Sequence, residues 1–242
     1  TVPVFGVDTP GQSITVTFAG QTKITMADGN GNWRVDLDPM VASMTGRTLT
    51  VTGSSTISFT DVLVGEVWLA AGQSNMAFEV GGSSTSPYPA NYGRIRMCAW
   101  NQTVGTGGGT VYGQTEFDNL TPEEFYVGTW EILGAGNVGS QSAVAYFFAN
   151  ALAQELIGTG PGGIDVPVGV VELAIGGTST EAFIPPSALQ SNAYLKAAFE
   201  DPRSVRTLGQ WTTGRIAQKL GSYTHDDPTL PHPHPYAPGF LY

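Results

Sequence analysis

The stretch from Asp61 to Val80, DVLVGEVWLAAGQSNMAFEV, constrains this chain more than any other. Leu63 to Ala71 is almost wholly apolar and too short for a helix that must span a core. It reads as a strand buried on both faces, the kind found inside a parallel sheet. The run ends at Gly72-Gln73-Ser74-Asn75, where Gly72 permits a tight turn. A serine there stands at the carboxyl end of a central strand, the edge on which open α/β sheets place their ligands. If Met76 to Val80 opens a helix, the free N–H groups of its first turn lie beside the Ser74 hydroxyl and can hold a developing oxyanion. The same serine serves equally as an ordinary helix cap.

Apolar residues make up 41 % of the chain, enough for a globular core. Charged residues make up 12 %, about half the usual share, and Gly, Ser and Thr stand in their place. A net charge of −10 excludes a broad nucleic-acid footprint and disfavours an anionic membrane surface. The single cysteine, Cys98, leaves no internal disulfide framework. No apolar run is long enough to span a bilayer. The low-charge, Thr/Gly-rich sequence suits secretion or the periplasm.

Residues 1–60 read as all-β. Ser13 to Phe18 alternates apolar and polar, the period of a half-buried strand, and Gln21 to Met26 follows across Ala19-Gly20. Asp28-Gly29-Asn30-Gly31 is a strong turn signal before Trp33 to Leu37, and Thr48–Thr52 and Thr56–Phe59 add two more strands. This spacing suggests a small antiparallel β-sandwich acting as a scaffold. From residue 61 to 242 the pattern becomes α/β. Arg94 to Trp100 is a strand candidate between glycine-rich loops that lack the Gly-Lys-Ser/Thr of a phosphate site. Ser142 to Leu156 is the clearest helix, with Val144, Phe147, Phe148, Ala151, Leu152 and Leu156 on one face and Gly158 at its C-terminal end. Val166 to Ile175 is a second continuous apolar strand, and strand–helix–strand makes a parallel crossover. Ser187 to Phe199 reads as a helix after two prolines; the tail from about Asp201 is poor in apolar periodicity, and its proline-rich end, Pro231 to Pro238, reads as extended loop.

Val166 to Ile175 runs into Gly176-Gly177-Thr178-Ser179-Thr180, so two buried strands each end in a glycine-rich turn. If they are near neighbours in one sheet, Ser74 supplies a nucleophile and a backbone N–H of Gly176 or Gly177 faces the reacting carbonyl oxygen. Glycine suits that place because no Cβ keeps the backbone from the substrate. GGTST read as a plain turn is the competing account.

GEVWLAAGQSNM followed by VPVGVVELAIGGTSTEAF resembles the sialate O-acetylesterase-like family of carbohydrate esterases, within the SGNH (GDSL-like) hydrolases. GNWRVDLDPM, SAVAYFFANAL and PYAPGFLY extend the likeness over most of the chain. The resemblance implies a flavodoxin-like parallel sheet with helices on both faces. It implies Ser74 as the nucleophile, with its own amide in the oxyanion hole, and Gly176 or Gly177 as a second donor. Gln73, Asn75, Thr178 and Glu181 would brace the site or meet substrate, and no metal or other cofactor is implied. The chain departs from the family at Ala70-Ala71, in place of Cys-Ser, and at Ile175 and Phe183, in place of tryptophans; those changes bear on the pocket lining.

The family's Gln-Gly-Glu-Ser-Asn and Asp-x-x-His blocks do not occur in this sequence. The chain therefore reads as roughly the N-terminal half of such an enzyme, with a second polypeptide completing the sheet and supplying the catalytic Asp and His. His225, beside Asp226 and Asp227, is the local candidate for a base, although the stretch also reads as a polar turn. His232 and His234 could hold a metal, but their Pro-x-Pro frame fits a stiff loop better. The expected substrate is an acetylated carbohydrate. The acidic surface disfavours sialic acid over neutral acetylated polysaccharide unless a local arginine (Arg94, Arg96 or Arg215) overrides it. A non-catalytic glycan-binding protein is the alternative from another functional class.

Overall fold

The computed structural model of the chain describes residues 1–83, 92–106, 110–223, 227 and 229–242. Within these, the chain is mixed α/β and divides into two compact units. One is built from Thr1–Val67 with residues 92–96 and Ala149–Gly169, the other from the remaining described residues.

The first unit carries β1 (Val2–Val7), β2 (Ser13–Phe18), β3 (Gln21–Met26), β4 (Asn32–Leu37), β5 (Ser43–Thr52) and β6 (Thr56–Val64). They form a two-stranded sheet, β1-β4, and a four-stranded sheet, β3-β2-β5-β6, with antiparallel pairing throughout. Alternation decides what each strand buries. Ile14, Val16 and Phe18 of β2 and Trp33, Val35 and Leu37 of β4 face a shared core, with Leu49, Val51 and Val62 packed against it. The Asp28–Gly31 turn carries the chain from one sheet to the other. The Asp28 carboxylate accepts the N–H groups of Asn30 and Asn32, and Gly31 takes φ +88°. β1 lacks the apolar/polar contrast that marks β2, and the sequence reading passed over it.

A further four-stranded sheet, most of whose residues belong to the second unit, has the order β7-β10-β8-β9, from β7 (Glu66–Gly72), β8 (Ile95–Gln102), β9 (Tyr126–Ile132) and β10 (Val168–Ala174). The short helices α1 (Gln114–Asp118) and α2 (Pro122–Phe125) precede β9. They are followed by α3 (Ala143–Glu155), α4 (Pro186–Ser191), α5 (Ala193–Glu200) and α6 (Gln210–Leu220). A large core gathers Tyr112, Phe125, Ile175, Ile216, Leu220, Tyr236 and Phe240.

Five sequence expectations are corrected here. The apolar run 63–71 is not one strand: Val64 ends β6, Glu66 begins β7, and a Cβ on Gly65 between them would overlap the Pro167 carbonyl. Nor is β7 buried on both faces. It ends the strand order, and Val67 and Leu69 are 67 % and 62 % exposed, while Trp68 meets Phe148 edge-on at 5.1 Å. The third correction concerns α3, which buries Ala145, Tyr146, Ala149 and Ala153 and leaves Val144 and Phe148 exposed; a row of small side chains gives the close-packing face. The helix expected over 187–199 is two, because Asn192 leaves the helical conformation and its side chain accepts the N–H groups of Tyr194 and Leu195 as a new cap. Finally, the tail, which shows little apolar periodicity, contains α6; its proline-rich end is loop without helix or strand, as read from the sequence, and residues 232–241 are buried.

Candidate active site

The seven residues expected to form the site lie in the second unit, Gln73, Ser74 and Asn75 just past β7, and Gly176, Gly177, Thr178 and Glu181 past β10. The Ile175 N–H donates to the Gly72 carbonyl at 3.1 Å and joins those two strand ends. Beyond Gly72 the chain makes one turn, in which the Gln73 carbonyl accepts the N–H groups of Met76 at 2.8 Å and Ala77 at 3.0 Å, and it leads to a 3-10 turn at Val80–Gly82 rather than an α-helix opening at Met76. A Cβ at Gly72 would stand 2.9 Å from the Met76 Cβ, closer than side chains tolerate, so glycine permits this turn.

Ser74 is exposed on the turn. Its hydroxyl donates to Gln73 Oε1 at 3.0 Å, and its own N–H reaches the same oxygen at 3.2 Å. Asn75 is exposed beside it. Across from Ser74 lies Gly176, where an added Cβ would be 3.8 Å from the Ser74 Cβ. Gly177 takes φ +86°, and a Cβ there would overlap the Trp211 ring and come within 3.1 Å of the Tyr236 hydroxyl. Among the described residues, neither the Gly176 nor the Gly177 N–H has a hydrogen-bond acceptor.

The proline-rich tail holds this loop in place. The Tyr236 hydroxyl donates to the Gly176 carbonyl at 2.7 Å, and burial raises its pKa, so it remains a neutral donor. Because a trans peptide sets its N–H opposite its C=O, anchoring the Gly176 carbonyl on Tyr236 turns the Gly177 N–H the other way. Gly239 N–H donates to the Glu181 carbonyl and Leu241 N–H to the Ala182 carbonyl, both at 2.9 Å. Glu181 thus accepts the tail through its backbone. Thr178 closes the turn onto the Ile175 carbonyl at 3.2 Å, and its buried hydroxyl has no partner among the described residues. Sequence reasoning assigned no role to Trp211 or Tyr236; Tyr236 lies in PYAPGFLY, one of the stretches that carry the resemblance, and Trp211 in none of them.

No histidine among the described residues hydrogen-bonds Ser74. His232 Nε2 lies 3.2 Å from the Glu200 carbonyl. His234 is fully buried, and its Nδ1 accepts the Tyr236 N–H at 3.0 Å, which puts the proton on Nε2. Burial, then the charges of Lys219 and Arg215, push its pKa down to about 3, so it is neutral near pH 7. His225 and Asp226 lie outside the described residues. Of the three arginines noted above, Arg94 pairs with Asp165 at 2.7 Å and Arg96 with Asp61 at 3.2 Å. Arg215 lies 5.3 Å over the Trp211 ring and bonds the Gln218 side chain, with no acidic partner among the described residues. No helix among the described residues is long and apolar enough to cross a membrane.

No family model matches the chain. It is 29 % identical over 199 residues to the sialate O-acetylesterase of Mus musculus, covering 74 % of this chain and 33 % of that protein. It is 30 % identical over 208 residues to the sialate O-acetylesterase of Rattus norvegicus, covering 78 % and 35 %. A solved carbohydrate acetylesterase from Xanthomonas citri is similar at 30 % identity with a TM-score of 0.58, over 79 % of this chain and 40 % of that one. The chain thus spans about a third of the length of the curated relatives it matches.

Proposed function

With a sialate O-acetylesterase-like sequence as the premise, we propose that this chain carries the nucleophile and oxyanion donors of a serine esterase acting on O-acetylated carbohydrates. In this reading, residues 61–242 belong to a flavodoxin-like, SGNH-type domain and 1–60 form its β-sandwich appendage, in a secreted or periplasmic protein. Ser74 Oγ attacks the acetyl carbonyl carbon and the C=O electron pair moves onto oxygen. The oxyanion is met by the N–H of Gly177 or Gly176. A histidine, oriented by an aspartate, takes the Ser74 proton and returns it to the departing sugar hydroxyl. Water then releases acetate from the acetyl-serine by the same route in reverse. That His and Asp are assigned to a second polypeptide corresponding to the C-terminal half of the enzyme.

The observation carrying this reading is an exposed serine lying against Gly176, at a glycine pair whose two N–H groups have no acceptor among the described residues. Unpaired donors beside a nucleophile are what an acyl-transfer site requires, and one such donor is worth roughly 10²–10³ in rate. Removing a triad member costs several powers of ten, so the chain by itself should turn over slowly. A fluorophosphonate probe gives the test. Covalent labelling should map to Ser74 by peptide mass spectrometry and disappear in Ser74→Ala. Labelling of other residues only, or equal labelling of the variant, would sink the esterase reading.

One observation favours a second reading, a glycan-binding protein without turnover: no described histidine reaches Ser74. Acetate release from an acetylated glycan, measured with the complementary polypeptide present, separates the two.

A further inference from the structure

The backbone of Gln73 is tied on both sides. Its carbonyl accepts the N–H groups of Met76 and Ala77, and the Gly72 carbonyl before it is held by the Ile175 N–H. The side chain is exposed, and its one oxygen takes two donors from the next residue: the Ser74 hydroxyl at 3.0 Å and the Ser74 N–H at 3.2 Å. Which end of the carboxamide faces the serine follows from this pairing, because only the oxygen end accepts an N–H. The carboxamide nitrogen has no acceptor among the described residues, so Ser74 alone holds the group where it is.

From this contact we infer that Gln73 is a self-inhibiting latch on the nucleophile, which must swing away before Ser74 can be acylated. The inference rests on the esterase reading, in which Ser74 supplies the attacking oxygen and its own N–H joins the oxyanion donors. Acylation asks two things of that residue. The hydroxyl must point its proton at a base, and the N–H must meet the ester carbonyl oxygen as charge builds there. Gln73 Oε1 engages both donors at once and, as a neutral amide oxygen, advances neither step. A residue bracing Ser74 for attack would bond it away from base and carbonyl; this one takes the place of both.

The latch is poised to open. A hydrogen bond of this kind nets about a two- to tenfold preference in water, and an exposed side chain with no other partner gives up only these two. An arriving imidazole replaces the acceptor of the hydroxyl, and the substrate carbonyl replaces that of the amide. Base and ester together therefore displace the carboxamide with both serine donors still paired. With neither present, the serine stays capped.

The test compares the whole chain with Gln73→Ala and Gln73→Met, which both remove the acceptor while the second keeps the side-chain length. Two rates are read: fluorophosphonate labelling of Ser74 in a fixed concentration of imidazole, and hydrogen exchange of the Ser74 N–H by NMR, corrected for the changed neighbour. Because the side chain is exposed, both variants should keep the wild-type urea midpoint. Both should label about tenfold faster than wild type and exchange the Ser74 N–H several-fold faster. Faster exchange with equal or slower labelling would make Gln73 a brace and overturn the latch. Unchanged exchange would show that the contact does not hold in solution, and would overturn it as well. Those outcomes leave the esterase reading standing, since Ser74 still labels. No labelling of Ser74 in wild type or either variant would overturn that reading, and the latch with it.

Discussion

Trp211 occupies the space a side chain at position 177 would need, and the φ of +86° there disfavours any L-residue. Gly177→Ala therefore meets two penalties, about 1–2 kcal/mol for the left-handed backbone and about 1–3 kcal/mol for displacing a packed ring. Gly176 differs, because a Cβ there would be in ordinary contact with Ser74. Gly177→Ala should lose about 2–5 kcal/mol in urea unfolding, while Gly176→Ala stays within about 0.5 kcal/mol of wild type. Equal stability of the two variants would show that Trp211 yields freely and does not pin the loop. At this scale the sequence was informative: GQSN and GGTST, a hundred residues apart, announced the turns that the fold sets side by side. The roles of Tyr236 and Trp211 in bracing them could not be read the same way, even though Tyr236 lies in PYAPGFLY, because a packing role depends on which surface the tail meets.

Among the elements, the tail 231–241 departs furthest from its sequence. Five prolines across 228–238 bar helix and central strand, as expected, but a segment without regular structure can still be buried if its polar groups find partners. Here the Tyr236, Gly239 and Leu241 N–H groups and the Tyr236 hydroxyl all do so. Periodicity cannot foretell that, since it reports only which face of a regular element is apolar. α6 escaped notice for a related reason: Thr212 and Lys219 share its buried face with Ile216 and Leu220. The strands β2 and β4, by contrast, each put alternate residues into one core and could be read directly. The buried tail has a pH signature. His234 has its pKa depressed from 6.5 in the unfolded chain to about 3. The unfolded state thus binds the extra proton first, and this stabilising contribution is complete above 6.5 and lost as pH falls towards 3. Between pH 6.5 and 5, wild type should lose about 2 kcal/mol more stability than His234→Asn, which keeps an acceptor for the Tyr236 N–H. Parallel pH profiles of urea midpoints for the two proteins would show that His234 is not held neutral.

Taken whole, the described residues set the exposed Ser74 hydroxyl beside Gly176, with two unpaired glycine N–H groups and no histidine bonded to the serine, and β7 leaves Val67 and Leu69 open to solvent. A serine whose hydroxyl donates to an amide oxygen is a weak nucleophile, since Gln73 has no capacity to accept the proton. A small base supplied from solution can take that proton, though far less effectively than a tethered one, whose effective concentration reaches about 10⁵–10⁸ M in well-aligned cases. The rate of fluorophosphonate labelling at Ser74 should therefore rise in proportion to added imidazole, and rise with pH as imidazole loses its proton. Ser74→Ala should show no such response. Adding the proposed complementary polypeptide should exceed the imidazole effect by orders of magnitude. If Ser74 instead labels rapidly without imidazole and ignores it, the base lies within this chain, and the assignment of His and Asp to a second polypeptide fails.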